Sequence, residues 1–428
     1  MKVRIFTLGC KVNQFESQAI VRSMQEKGYA PAADNEPADV TILNSCAVTA
    51  ASEQKAVKLL HRIRREDPGT IIVLTGCMAQ TAGENNKSLA DADIIIGNKR
   101  KGDIIPAIDK YIAERKKLRQ VEDFSRADEY EDLSVFDFSG RTRAFLKIED
   151  GCNRFCSYCI IPYARGRVRS SSLDYIRKEI RGFAENGYKE VVLVGINLSS
   201  FGSDNGLRFA DAVRTACEAA DIRIRLGSLE PESMDMDTLR IFAEYENFCP
   251  QFHLSLQSGC DQTLRRMNRH YSTAEYTEIV ENIRSVFDNP SITTDVMVGF
   301  AGESQEEFLQ SAQFVEKTGF ARTHIFPYSR RPGTAADRAP DQVSAEIKKK
   351  RAGIMAEYAE RARQRFLNAQ LGRTEKVLIE TNSRNGLYEG YTPNYTQVFV
   401  DADESFINKI IDVRLDRREG DHIIGSRV

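Results

Sequence analysis

The chain has 428 residues, long for a single hydrophobic core and suited to two or three domains. Hydrophobic residues make up 41% and charged residues 29%, with a net charge of −2, which excludes a disordered chain and a bulk polycation and leaves any nucleic-acid contact to local patches. No apolar run reaches the length of a membrane span, and Met1-Lys2-Val3-Arg4-Ile5-Phe6 passes into a strand-like run rather than an export signal, so the expectation is a cytoplasmic protein with no membrane partner.

Residues 3–8, 40–43, 71–74 and 94–96 are short apolar runs separated by helical stretches, the pattern of a parallel sheet covered by helices. Three of these runs end on a cysteine: Cys10, Cys46 and Cys77. Ligands in open α/β sheets bind at the carboxyl ends of strands, so the topology predicts that these thiols converge. The bland alternative is three unrelated buried cysteines.

A charged connector covers 111–143, and residues 144–148 then read as a strand feeding the loop Gly151-Cys152-Asn153-Arg154-Phe155-Cys156-Ser157-Tyr158-Cys159. Its C-x3-C-x2-C spacing offers three thiolates to one centre. A cubane iron–sulfur cluster has four irons, so three ligands leave one iron open to a small molecule. A zinc knuckle is the competing reading, but the spacing differs from the paired C-x2-C of zinc ribbons.

Further strands are predicted at 191–194, 222–226, 252–256, 292–298 and 323–326, with helices such as 173–186 and 273–287 between them. Six strand–helix units fall two short of a closed barrel, which predicts a partial barrel with a lateral mouth and an active site at the carboxyl ends of the strands. Residues 343–367 form a charged helix, and 371–428 look all-β, with strands at 376–380, 396–400 and 410–413 and a turn at Asn385-Gly386. A small barrel of this size is a common oligonucleotide-binding module, although its 8 Lys/Arg against 10 Asp/Glu leave no basic footprint. Tyr388, Tyr391 and Tyr395 are placed either to stack on bases or to pack.

Cys217, Cys249 and Cys260 have no ligand spacing and read as packing residues; the five histidines form no metal motif.

Taken together, Thr7-Leu8-Gly9-Cys10-Lys11-Val12-Asn13-Gln14, Asn44-Ser45-Cys46-Ala47-Val48-Thr49, Gly76-Cys77-Met78-Ala79-Gln80 and the stretch 151–169 resemble the radical S-adenosylmethionine methylthiotransferases. The resemblance implies a Rossmann-like N-terminal cluster domain (1–135), a partial (β/α)6 radical barrel (136–367) and a C-terminal β-barrel TRAM domain (368–428). The Gly-Cys-Lys-Val-Asn and Cys-Ala-Val-Thr steps look like the branch acting on N6-threonylcarbamoyladenosine beside the tRNA anticodon. Other branches act on isopentenyladenosine in tRNA or on a ribosomal-protein aspartate. Ile196, Ala301 and Ser171 depart from the usual glutamine, proline and arginine.

By resemblance, Cys152, Cys156 and Cys159 hold one [4Fe–4S] cluster, which binds and cleaves S-adenosylmethionine, and Cys10, Cys46 and Cys77 hold a second that delivers sulfur. The radical chemistry activates the otherwise inert C2 of the adenine. Tyr158, Gly195, Asn197, Ser228, Glu230 and Gln257 would surround S-adenosylmethionine, while Arg165, Arg167 and Arg169 would meet phosphates of the anticodon stem-loop. A sulfur donor and a low-potential electron donor such as flavodoxin or ferredoxin are implied as partners. The reading from a different class is a two-cluster electron-transfer protein with an RNA-binding module.

Overall fold

The computed structural model describes residues 1–33, 36–84, 86–135, 142–382 and 386–428. The boundary expected between 135 and 136 and the Asn385 half of the expected turn lie outside the described residues.

The N-terminal domain runs β1 (Lys2–Thr7), α1 (Lys11–Glu26), β2 (Ala30–Pro31), β3 (Val40–Ser45), α2 (Ala50–Glu66), β4 (Ile71–Gly76), α3 (Cys77–Thr81), β5 (Ile94–Ile96), α4 (Ile104–Glu114) and β6 (Leu118–Gln120). These strands form one parallel sheet in the order β2-β1-β3-β4-β5-β6. β3 and β4 are buried along their whole length, as expected for central strands covered on both faces, and this is why they read as unbroken apolar runs. The edge strands β2 and β6 are only two and three residues long and are exposed or half exposed, too short for a periodicity to show.

The middle of the chain runs β7 (Arg143–Lys147), β8 (Glu149–Asp150), α5 (Ile161–Arg165), β9 (Arg169–Ser170), α6 (Leu173–Glu185), β10 (Glu190–Val194), α7 (Phe209–Ala219), β11 (Arg223–Leu226) and β12 (Ser228–Leu229). It continues through α8 (Met236–Ala243), β13 (Gln251–Leu254), α9 (Asp261–Arg266), α10 (Thr273–Val286), β14 (Ser291–Val298), α11 (Gln305–Thr318), β15 (Arg322–Pro327) and α12 (Ala345–Gln370). Two parallel arcs, β7-β10-β11 and β12-β13-β14-β15, meet at Gly227, which interrupts β11 and β12 as one continuous strand position, and together make the open barrel of six strand positions that the sequence predicts. Helices α6, α10 and α11 begin at Ser172, Ser272 and Ser304, whose hydroxyls accept from the backbone three residues on, so each helix starts at a serine cap.

Along β14 burial alternates: Ile292, Thr294, Val296 and Val298 pack outward under the helices, while Thr293, Asp295 and Met297 turn into the barrel and are only half buried. That period of two decides which side chains reach the interior.

The chain ends in a closed five-stranded barrel of β16 (Thr374–Asn382), β17 (Leu387–Tyr391), β18 (Gln397–Asp401), β19 (Ile410–Glu419) and β20 (His422–Arg427). It docks under the amino ends of the central strands. Arg223 donates to the carbonyls of Tyr391 and Lys376 at 3.2 and 2.6 Å, and Arg225 to that of Pro393 at 2.8 Å. Tyr391 and Tyr395 stack with centroids 4.7 Å apart, Arg143 lies over both rings, and Tyr388 is buried in the small barrel's core. Tyr388 is therefore a core residue and Tyr391 a packing residue of the junction, while Tyr395 stacks on Tyr391 with its ring still partly open to solvent.

Candidate active site

The antiparallel pair β8–β9 pinches residues 151–168 into a closed loop at the carboxyl end of β7. Gly151 has φ 89°, and a Cβ there would stand 1.9 Å from the Arg167 carbonyl oxygen, so the loop closes only around glycine. Cys152 Sγ accepts from the Arg154 N–H at 3.5 Å and the Asn197 amide at 3.7 Å, and Cys156 Sγ from the Arg269 guanidinium at 3.3 Å. Burial pushes the Cys152 thiol up to about 11 and Cys159 to about 12. Such thiols hold their protons at neutral pH until a metal takes the proton's place.

The ends of β10 and β12 meet this loop. The Asn197 N–H donates to Glu149 at 2.8 Å, and Gly195 lies against the same carboxyl. Glu149 is fully buried and burial raises its carboxyl well above the usual range, while Glu230 forms an ion pair with Arg269. Gln257 is held in the left-handed region, φ 63°, where its N–H donates to Asp295 at 2.9 Å and its carbonyl accepts from Met297 at 2.8 Å. Asn197 and Glu230 are thus tied directly or through Arg269 to the cysteine loop. Ser228 lines the barrel interior, and Tyr158 packs edge-on to Phe300. Arg269 and Glu149 escaped the sequence reading; Arg269 lies 113 residues from Cys156, and no local pattern joins them.

The second cysteine set follows from strand order. β1, β3 and β4 are adjacent, Cys10 precedes α1, Cys46 follows β3, and Cys77 opens α3. Gly76, φ 95°, makes the turn before Cys77; a Cβ would sit 2.3 Å from the Ser45 carbonyl oxygen. A Cβ at Gly9 would come within 3.3 Å of Cys46 Sγ, which measures how closely the first two loops approach. Burial raises the Cys46 thiol to about 11, with Cys77 and Cys10 adding to the shift, so the three sulfurs act on one another.

Arg165 joins the two sets. It follows the first cysteine loop in α5, yet its Nε donates to Cys77 Sγ at 3.4 Å. Nη1 reaches Glu16 at 2.6 Å and Asp150 at 3.2 Å, and Nη2 reaches Asn13 at 2.7 Å. Lys147 completes the cluster with Glu16 and Asp150 at 3.4 and 3.3 Å, and Lys101 with Asn98 and Thr75 at 2.7 and 3.1 Å. Asn98 in turn donates to Cys77 Sγ at 3.5 Å.

This placement corrects one expectation. Arg165 is fully buried, and Arg169, also buried, donates to the carbonyls of Arg165 and Arg167 and lies over Phe124. Neither is open to an RNA phosphate, because the domain interface needs their charge to balance Glu16 and Asp150. Arg167 alone of the three is exposed, and the same loop carries the exposed, edge-to-face rings of Phe155 and Tyr163.

Below the strand ends lies a cavity of about 790 Å³. It is lined by the inward residues of β13, β14 and β15, by Lys11 of the N-terminal domain, and by the C-terminal barrel.

An open barrel of parallel strands carrying a C-x3-C-x2-C loop at its carboxyl rim defines a radical S-adenosylmethionine protein. In agreement, the Radical SAM superfamily matches residues 146–315, the uncharacterized protein family UPF0004 residues 2–97, and the TRAM domain residues 368–419. The fold superposes on a radical S-adenosylmethionine methyltransferase, TsrM, from Kitasatospora setae with TM-score 0.60 and 12% identity, over 78% of this chain and 76% of that one. The threonylcarbamoyladenosine tRNA methylthiotransferase MtaB of Aquifex aeolicus is 35% identical over 90% of this chain and 94% of its own length. The tRNA-2-methylthio-N(6)-dimethylallyladenosine synthase of Pelotomaculum thermopropionicum is 32% identical over 99% and 97%. The chain belongs to the radical S-adenosylmethionine tRNA methylthiotransferase family.

That family implies a [4Fe–4S] cluster and S-adenosylmethionine at the first site, and the residues fit them. Three thiols from one loop are ringed by N–H donors that stabilise thiolate charge. Asn197 Oδ1 and Glu149 Oε1 are buried without a partner beside the loop. Buried polar atoms are nearly always paired, so both are open to polar groups of a bound molecule, and the amino group of S-adenosylmethionine would be one that fits.

Proposed function

We propose that this enzyme attaches a methylthio group to C2 of N6-threonylcarbamoyladenosine next to the anticodon of tRNA, in the cytoplasm, with Cys10, Cys46 and Cys77 holding a second [4Fe–4S] cluster. The observation that carries the reading is the pair of three-cysteine sets on facing domains, joined through Arg165 above one polar cavity. One cluster with S-adenosylmethionine supplies one-electron chemistry at an inert carbon. A second three-thiol set supplies a place for sulfur.

The chain's own residues bind and orient. Asn197, Arg154 and Arg269 donate to the first sulfurs, and Arg165 and Asn98 donate to Cys77. Phe155 and Tyr163, 48% and 57% exposed, offer ring faces at the rim where an unpaired anticodon-loop base can stack, and the exposed Arg167 adds a cation to the same loop. Of the two tRNA bases named for the relatives, the cavity favours the polar one. Beside apolar walls of Phe145, Val192, Leu226, Phe326, Phe366 and Leu367 it carries arginines, histidines, threonines and carboxylates, charged partners that a prenyl group cannot use and a threonylcarbamoyl group can.

Nucleoside mass spectrometry of tRNA from a deletion strain tests the reading. The expected result is loss of the 2-methylthio form of threonylcarbamoyladenosine, restored by the wild-type gene and not by Cys10→Ala. Loss of the 2-methylthio isopentenyl form instead would assign the other branch, and an unaltered tRNA profile would reject RNA as the substrate.

A further inference from the structure

The cations lining the barrel cavity fall into two groups. Arg143 is paired with Glu380, Arg225 with Glu190, and Arg363 with Asp421, so these three charges are spent on holding the C-terminal barrel and the core. The side chains of Lys11 and Arg322 line the same cavity and neither donates a hydrogen bond nor closes an ion pair among the described residues. They come from different domains. Lys11 opens α1 and Arg322 begins β15, whose next inward residue is His324. Arg322 and His324 sit in register with Thr293 and Asp295 of β14, and Thr293 with His253 of β13, so all five side chains share the inner face of the barrel.

Within this wall His253 is already committed. Its Nδ1 meets Thr293 Oγ1 at 2.9 Å and its Nε2 faces Asp295 at 3.4 Å. The Asp295 carboxylate is thereby turned toward an imidazole, which lessens its opposition to a nearby anion. Lys11, Arg322, His253 and Asp295 all lie near enough to act electrostatically on His324. Two unpaired cations and a histidine on one side of a cavity constitute a receptor for an anion.

Resting on the substrate reading above, we infer that Lys11 and Arg322, assisted by His324, bind the carboxylate of the threonylcarbamoyl group and so decide which modified adenosine the enzyme accepts. The side chain of N6-threonylcarbamoyladenosine carries one carboxylate, a hydroxyl and a urea. It extends from N6, away from the C2 edge. With C2 turned to the cysteine rim, this polar tail would enter the cavity below. An isopentenyl tail offers nothing to Lys11 or Arg322, which stay exposed to solvent, so it would forgo the ion pairs that the carboxylate makes. Discrimination arises because Lys11 and Arg322 stand on separate domains, so the anion also bridges them.

The experiment measures equilibrium binding of synthetic anticodon stem-loops to anaerobically reconstituted full-length protein. One loop carries threonylcarbamoyladenosine. A second carries its threoninamide analogue, in which an NH2 replaces one carboxylate oxygen with little change in size. Wild type is expected to bind the carboxylate loop roughly tenfold or more tighter than the amide. Lys11→Gln and Arg322→Gln are each expected to reduce that preference severalfold and the double variant to abolish it. Arg322 lies on a strand without cysteines, so its variant keeps the test valid if Lys11→Gln disturbs the neighbouring Cys10. Equal binding of both loops by wild type, or an undiminished preference in the double variant, would overturn the inference. The nitrogen and oxygen atoms of His253, Asp295 and His324 also lie within 4.8 Å of one another, so metal content is measured in parallel. A stoichiometric divalent ion lost in His324→Gln would overturn it as well. Methylthiolation of an isopentenyl loop but not of the threonylcarbamoyl loop by wild type would sink the substrate reading itself, a result separable from the binding data.

Discussion

The two cysteine sets reach comparable ends by opposite routes. Cys152, Cys156 and Cys159 lie within eight residues of one loop, closed by β8–β9 and by Gly151, so their grouping is largely local. Cys10, Cys46 and Cys77 come from three loops brought together only because β1, β3 and β4 are neighbours in a parallel sheet. A local set survives small shifts of its surroundings, whereas a set assembled across a sheet depends on every strand keeping its place. Arg165 belongs to the first set by sequence and to the second by contact.

The sharpest break is removal of either set. Anaerobic iron analysis should show about eight irons per chain for wild type and about four for Cys152/Cys156/Cys159→Ala, and again about four for Cys10/Cys46/Cys77→Ala, counting four per cubane. Methylthiolation is lost in both. A wild-type protein that holds only about four would leave the second set without its cluster.

Next comes Arg165→Met. It leaves the buried Glu16 and Asp150 to share Lys147 and Arg169, at a cost of up to roughly 3 kcal/mol in unfolding free energy measured by urea titration. Because Arg165 touches Cys77, iron should be lost from the second site before the first, which a substitution of Arg269 should reverse.

A pH series on metal-free protein isolates the interface charge. Burial raises the Glu16 carboxyl, but Arg165, Lys101 and Lys147 outweigh it and hold it down at about 2, against 4.5 for the free side chain. A carboxyl whose folded value is depressed contributes stability that is present above 4.5 and lost as pH falls toward 2. Glu16→Gln should lower the urea midpoint at pH 7 and flatten its decline in that acid window; an unchanged acid slope would remove Glu16 from the account.

The smallest effect belongs to the exposed rim. Arg167→Ala should weaken anticodon stem-loop binding a few-fold and reduce the slope of log affinity against log salt by somewhat under ~1, with the unfolding midpoint within about 0.5 kcal/mol of wild type. The same change at Arg169 should instead destabilise the fold, because its guanidinium holds the Arg165 and Arg167 carbonyls.

Legibility followed the range of the interactions. The strands of both parallel domains could be read because their residues are buried on at least one whole face, and the C-x3-C-x2-C loop because its ligands are neighbours in sequence. β12, β17 and β20 were missed: the first is two residues long, and the others mix polar and apolar residues on a half-exposed barrel wall. Arginines beside a metal loop read naturally as phosphate ligands, yet two of the three turned inward, a choice made by Glu16, 149 residues from Arg165 in the chain, and by Asp150.

By itself the sequence determined which residues repeat along strands, where glycine lets the backbone turn, and which three thiols share a loop, since each of these depends on near neighbours. Only the tertiary structure decided that Arg165 is buried against Cys77, that Tyr391 and Tyr395 stack beneath Arg143 at the junction of the two barrels, and that Lys11, Arg322 and His324 line one cavity. Charge pairing between domains is a property of distance in space, and no spacing along the chain encodes which cation will find a carboxylate and which will remain free for a ligand.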